Sequence, residues 1–174
     1  MLPNSSCIKY YWLEKEFFPE VHTFFRKEHY LTPEQFFSII FWKSIRPRKK
    51  IKDGLIAKGD SLTEAVRKLT KEIFEADTDE KRLSILLNRK GFKLAMASAL
   101  LTVLYPNNFT VYDYRVRGQL REQKDISYRK NVVKLYFEFV ELVKKSNLGL
   151  SLRDCDRNLW AKSWYEDLQN FLRS

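Results

Sequence analysis

The sequence predicts an all-α fold, and three observations carry that prediction. Only ten of the 174 residues are Gly or Pro, too few turn formers for a β-sandwich or a disordered chain. Helix-start signatures recur along the chain, and the apolar residues behind them return at spacings of three and four rather than alternating. A length of 174 residues with 15% aromatics fits one domain, residues 1–174, able to bury a substantial core.

The first helix is expected over Tyr11 to Lys27, kinked or divided by Pro19. Thr32-Pro33-Glu34-Gln35 supplies a cap, a proline at the first helical position and a capping-box glutamine ahead of Phe36 to Trp42. Between Pro47 and Asp60 no helical stripe is visible, and Gly54 and Gly59 predict a basic loop over about 43–60. Ser61-Leu62-Thr63-Glu64 opens a helix with Ala65, Val66, Leu69 and Ile73 on one stripe. Asp77-Thr78-Asp79-Glu80 leads into Leu83, Leu86 and Leu87. That helix ends near Asn88, Gly91 allows a tight reversal, and a helix rich in small residues follows, with Ala95, Ala97, Ser98 and Ala99. Ser127 is positioned to cap a helix carrying Val132, Val133, Tyr136, Phe137, Val140 and Val143, which Gly149 would end. Ser151-Leu152-Arg153-Asp154 starts the last helix, through Trp160, Trp164 and Leu168. The total is six or seven helices, with no strand required and no internal repeat.

A formal net charge of +10 points to a polyanionic partner, and nucleic acid suits it best. Lys43, Arg46, Arg48, Lys49, Lys50 and Lys52 crowd ten residues that contain no acid. A second group, Arg115, Arg117, Arg121, Lys124, Arg129 and Lys130, is diluted by Glu122 and Asp125. A merely solvated basic surface is the plainer reading of the same charges. Cys7 and Cys155 are too few for a disulfide framework or a four-cysteine metal site, and His22 and His29 lack the spacing of a metal pair, so neither metal nor other cofactor is expected. Phosphate-cradling Gly-rich loops, Gly-x-Ser-x-Gly elbows and paired-cysteine motifs are missing, which argues against a nucleotide cofactor and serine-hydrolase chemistry. The longest nearly uncharged stretch, Leu94 to Tyr105, is too short to span a bilayer. With reduced thiols and no secretion signal at Met1 to Cys7, a cytoplasmic protein without a membrane partner is expected.

The stretch of about 82–115 carries the chemistry. A turn at Gly91 that leads into a helix offers backbone N–H groups to a phosphate, and Lys90 and Lys93 flank it. A plain structural turn explains the same residues equally well. Asp113 precedes a helix start at Tyr114, where an aspartate is a common N-cap. Arg115, Arg117 and that helix N-terminus all favour negative charge at the position.

Leu87 through Arg115 resembles the helix-hairpin-helix (HhH-GPD) base-excision DNA glycosylases, and in particular a small bacterial branch of them. Gly91 and Phe92 match the first half of the family's hairpin, Ala97 its small residue, Pro106 its loop, and Asp113 falls where the family keeps its catalytic carboxylate. Trp42-Lys43 ahead of Arg46, and the Arg153-x-x-Asp156-x-x-Leu159-Trp160 element, are similar to flanking features of that branch. Three departures stand out. Lys93 replaces the second hairpin glycine, Ala95 occupies the position of the lysine nucleophile of bifunctional members, and no iron–sulfur loop is present. Lys93 does not replace that amine, because two residues along a helix turn a side chain by about 200°.

The resemblance implies a compact two-lobed helical domain with double-stranded DNA crossing the cleft. It implies a monofunctional glycosylase that releases a damaged or modified base without cleaving the strand. Asp113 would stabilise the positive charge that builds on the sugar and orient the attacking water. Lys90, Gly91, Phe92 and Lys93, with Lys43, Arg46, Arg48, Arg115 and Arg117, would contact DNA. Trp42, Tyr112 and Trp160 are candidates to stack on a base rotated out of the duplex, although aromatics at helical spacing are more often core. The alternative is a hairpin module that binds DNA without chemistry. A protein-interaction domain whose basic surface meets an acidic partner is a third possibility.

Overall fold

The structure is a computed structural model that describes residues 8–57, 59–120 and 125–173. Cys7, Arg121, Glu122 and Lys124, singled out above, lie outside the described residues. Among the described residues the elements are α1 (Ile8–Tyr11), a π-type turn (Leu13–Phe17), α2 (Phe18–Glu28), α3 (Pro33–Lys43), α4 (Arg48–Ile56), α5 (Leu62–Glu75), α6 (Asp79–Leu87), α7 (Leu94–Leu104), α8 (Tyr114–Gln119), α9 (Val132–Lys145) and α10 (Leu152–Arg173). No strand occurs among them, and none of these helices is long and apolar enough to cross a membrane. The all-α expectation holds.

The chain divides into two compact units, Met1–Phe92 and Lys93–Ser174. The division falls inside the 82–115 stretch that the sequence presents as one segment. In the first unit Phe25, Leu31, Phe36, Ile39, Ile40, Ile51, Val66, Ile73, Leu83 and Leu86 are fully buried. Thr70, in the middle of α5, accepts the Leu31 N–H at 2.9 Å and donates back to the Val66 carbonyl at 2.8 Å, so a buried hydroxyl satisfies a loop amide. Capping boxes at Thr32 and Ser61 start α3 and α5, and Thr78 caps α6.

The second unit is built around α7, of which every residue except Ala95 is buried. Phe109 and Tyr136 stack at 6.1 Å between centroids, and Tyr112 meets Phe139 edge-on at 5.1 Å. Truncating a buried aromatic such as Phe109 to Ala would cost about 3–5 kcal/mol.

Three local expectations need correction, and a fourth is narrowed. The basic stretch is not a loop throughout, because Arg48 to Ile56 is helical. Its stripe is invisible in the sequence since Ile51 is the single buried residue of α4, while Arg, Lys, Leu and Ile all propagate helix. Of the two expected effects of Pro19 the structure shows division and not a kink, because α2 begins at Phe18 after the π-type turn and Pro19 sits in its first turn, where its missing N–H costs nothing. Ser127 does not cap α9. Its N–H and hydroxyl both bind Asp125 Oδ1 in a local turn, and α9 begins after Asn131. Finally α9 ends at Lys145, ahead of Gly149, with Asn147 taking the left-handed conformation at φ 51°.

Candidate nucleic-acid interface

In the first unit the structure brings Lys90 onto the surface of the basic stretch over residues 46–52. The turn after α6 closes with the Arg89 N–H on the Leu86 carbonyl at 2.9 Å and the Phe92 N–H on the Arg89 carbonyl at 3.2 Å. Gly91 sits at φ 93°, and a Cβ there would lie 2.8 Å from Ile51 Cγ1 and 2.9 Å from the Ile51 nitrogen. Reciprocally, a Cβ on Gly54 would lie 2.9 Å from Lys90 Cβ and 3.0 Å from the Lys90 carbonyl oxygen. Two glycines therefore let α4 and the turn press backbone to backbone. Lys90 thus emerges beside α4, whose Arg48, Lys49, Lys50 and Lys52 are exposed, as is Arg46 just before it. Arg46, Lys49, Lys50, Lys52 and Lys90 have no ion-pair partner among the described residues. The Arg48 guanidinium donates to the Ile45 carbonyl at 2.7 Å and lies over the Phe41 ring. Phe92 does not present itself to a ligand. It is buried edge-on against Phe36 and anchors the turn from within.

A groove beside the same turn, lined by Glu72, Glu75, Asp77, Lys81, Asn88 and Arg89, carries charges of both signs. Arg89 pairs with Glu72 and Lys81 with Asp77, so its charges are matched within the fold.

In the second unit Lys93 is the N-cap residue of α7 and is exposed; its Nζ meets the Tyr128 hydroxyl, which raises the Lys93 pKa. Phe109 to Tyr112 lie between α7 and α8 outside any helix or strand, and side chains from three helices hold them. The Thr110 N–H donates to the Tyr136 hydroxyl at 3.1 Å, and that hydroxyl donates to the Thr110 carbonyl at 2.7 Å. The Val111 N–H donates to Asp156 Oδ2 at 3.3 Å, and the Tyr112 N–H to Ser98 Oγ at 2.9 Å. Asp113 follows, half-buried, its Oδ1 accepting the Arg115 N–H at 2.9 Å as the N-cap of α8.

Three expected contact residues of this unit are turned into the fold. Arg115 pairs with Asp167 at 2.5 Å and lies 5.2 and 5.5 Å from the centroids of the Tyr114 and Trp160 rings. The Arg117 guanidinium covers the Tyr112 ring at 5.0 Å, with Nε buried. Tyr112 is itself only 4% exposed, its hydroxyl accepting the Ile126 N–H at 3.0 Å, so its ring is core and not a stacking platform. Trp160 keeps 42% of its surface open beside Arg115. Trp42, in the first unit, is half-buried edge-on against Phe18. Lys43 closes α3 and is half-buried.

Asp156 is the residue that sequence reasoning undervalued. It is 2% exposed, and it bonds the Arg153 guanidinium as well as Val111. Burial pushes its carboxyl up from the ordinary carboxylate range, opposed by Arg153, the Val111 N–H and Thr110. A signal existed: Asp156 lies on the apolar stripe of α10 with Leu152, Cys155 and Leu159, where an acid calls for a partner. Neither a family model, a curated protein nor a solved structure matches the chain.

Proposed function

We propose that the protein is a monofunctional DNA glycosylase of the helix-hairpin-helix type, which hydrolyses the N-glycosidic bond of a damaged or modified base. The observation that carries this reading is Asp113: a carboxylate at the start of α8, at the end of a connecting segment whose three preceding amides are each held by a side chain of a different helix. Such fixation suits a group that must meet charge developing on a sugar, because a preorganised carboxylate does not have to reorient in the transition state. The α4 and Lys90 surface supplies sequence-independent affinity for the phosphate backbone. With Ala95 where bifunctional members place an amine, no Schiff base forms there and the strand stays intact.

The test uses duplexes carrying uracil, alkylated or oxidised bases, with breaks scored before and after alkali for the wild type and Asp113→Asn. Asparagine caps a helix as well as aspartate does, so α8 keeps its start while the charge is lost. Alkali-dependent breaks that vanish in the variant are the expected result. Breaks without alkali would overturn the monofunctional assignment.

A second reading, a DNA-binding module without chemistry, draws on the same residue, since N-capping alone accounts for the Asp113 contact with Arg115. Salt-sensitive duplex binding with no base release on any duplex would select it.

A further inference from the structure

We propose that Asp156 is a positioning residue of the Asp113 site, holding the Val111 backbone and through it the carboxylate two residues further along. The proposal rests on the reading of Asp113 given above. A buried ion pair such as Asp156 with Arg153 is a poor device for stability, since apolar groups of similar volume commonly do as well or better. What a carboxylate does here, and a leucine would not, is accept a hydrogen bond from a buried amide in a segment outside any helix or strand.

The same helix reaches the other side of Asp113. Asp167 takes the Arg115 guanidinium at 2.5 Å. Positions 156 and 167 are eleven apart, about three turns, and therefore share a face of α10. One helix thus grips the chain two residues before the carboxylate and two residues after it. Thr110 and Tyr112, tied to α9 and α7, flank the grip at Val111 and keep the segment from pivoting about it.

The test uses the full chain and three measurements: single-turnover base release on the duplex that the wild type processes best, duplex Kd, and amide hydrogen exchange over residues 109–117. The informative variant is Arg153→Met with Asp156→Leu, which removes acceptor and cation together and leaves no uncompensated buried charge. The expected result is a rate loss of about tenfold or more with Kd within about twofold, the scale of effect that a small misplacement of a reacting group produces. Exchange at 111–114 accelerates while the rest of the chain is unchanged. Asp156→Asn, which keeps an acceptor for Val111, recovers part of both. An unchanged rate with unchanged exchange overturns the proposal, as does a rate loss that only tracks a fall in Tm.

Should the double variant fail to fold, Asp167→Asn reads the grip from its exposed end. Faster exchange at 114–117 with a lower rate supports it, and no change in either refutes it. If the wild type releases no base from any duplex, the glycosylase reading falls, and hydrogen exchange alone then decides whether Asp156 fixes the segment.

Discussion

α4 and α8 are both short helices dense in cations, and they handle those charges in opposite ways. On α4 the Arg48, Lys49, Lys50 and Lys52 side chains stand in solvent, and only Ile51 points into the core. On α8 Arg115 is held by Asp167 and two aromatic rings, and Arg117 lies over Tyr112. The difference lies in what surrounds each helix. α4 presses on a glycine turn that carries one more lysine, whereas α8 packs along α10, which offers an acid and a tryptophan. A cation counts toward binding only when the fold leaves it without a partner of its own.

The widest test of that contrast replaces Arg48, Lys49, Lys50 and Lys52 together by Gln. Duplex affinity at low salt should fall about 100-fold and the slope of log K against log salt should flatten by about three to four, since each of the four lost phosphate contacts contributes about 0.9. Helix content should hardly change, because these side chains are exposed and Gln propagates helix nearly as well as Lys. Preserved affinity and an unaltered slope would remove α4 from the interface.

Gly91→Ala attacks the support of the same surface. A non-glycine residue at φ 93° and a Cβ pressed on Ile51 should cost about 2 kcal/mol in urea unfolding, from the left-handed backbone and the forced separation of the turn from α4. A loss within experimental scatter would mean that the turn adapts and the close approach is dispensable.

On the α8 side, two acids that touch the segment before Asp113 should respond to pH with opposite signs. Burial raises the Asp156 pKa, so in the carboxylate range the folded state binds its proton more tightly than the unfolded state, and stability falls as pH rises through that range. Asp125, which meets the Tyr112 hydroxyl at 3.4 Å, shifts the other way. Burial pushes it up, but the Ser127 hydroxyl and N–H, Arg117 and Tyr112 outweigh that and lower its pKa. Its stabilising contribution is present above the ordinary carboxylate range and is lost as pH falls. Unfolding measured between about pH 3 and 6 should therefore show a flatter decline for Asp156→Asn and a flatter rise for Asp125→Asn. Slopes of the same sign would contradict the burial argument.

The smallest expected effect is Arg115→Gln, which should change duplex affinity by less than about twofold, since a cation already paired releases few counterions. A loss as large as that of an α4 lysine would show that Arg115 leaves Asp167 for DNA and would erase the contrast between the helices.

Much of the helix plan was legible because it is written in local chemistry. Thr32, Ser61, Thr78 and Ser151 announce their helices by caps within four residues, and the structure keeps each start. α4 was not legible, because its one buried residue makes no stripe and the reason its Gly54 is tolerated lies at Lys90, thirty-six positions away. The separate fates of Arg46 and Arg115 were equally hidden. Both read as cations in a basic run, and only the acid at Asp167, fifty-two residues beyond Arg115, distinguishes them. Asp113 was visible as a cap, but the side chains that hold the segment before it come from positions 98, 136 and 156, which no local pattern connects.

The tie between Val111 and Asp156 has a consequence for the order in which the molecule assembles. Its partners are forty-five residues apart, and closing so long a loop is among the slower events available to a helical chain. During synthesis α7 and α8 leave the ribosome well before α10, so Val111 waits for its acceptor and Arg115 for Asp167 until about fifty more residues have been added. The local geometry at Asp113 is therefore completed late, and a nascent chain would hold its basic α4 surface, and with it any attraction to polyanions, before it held a fixed carboxylate.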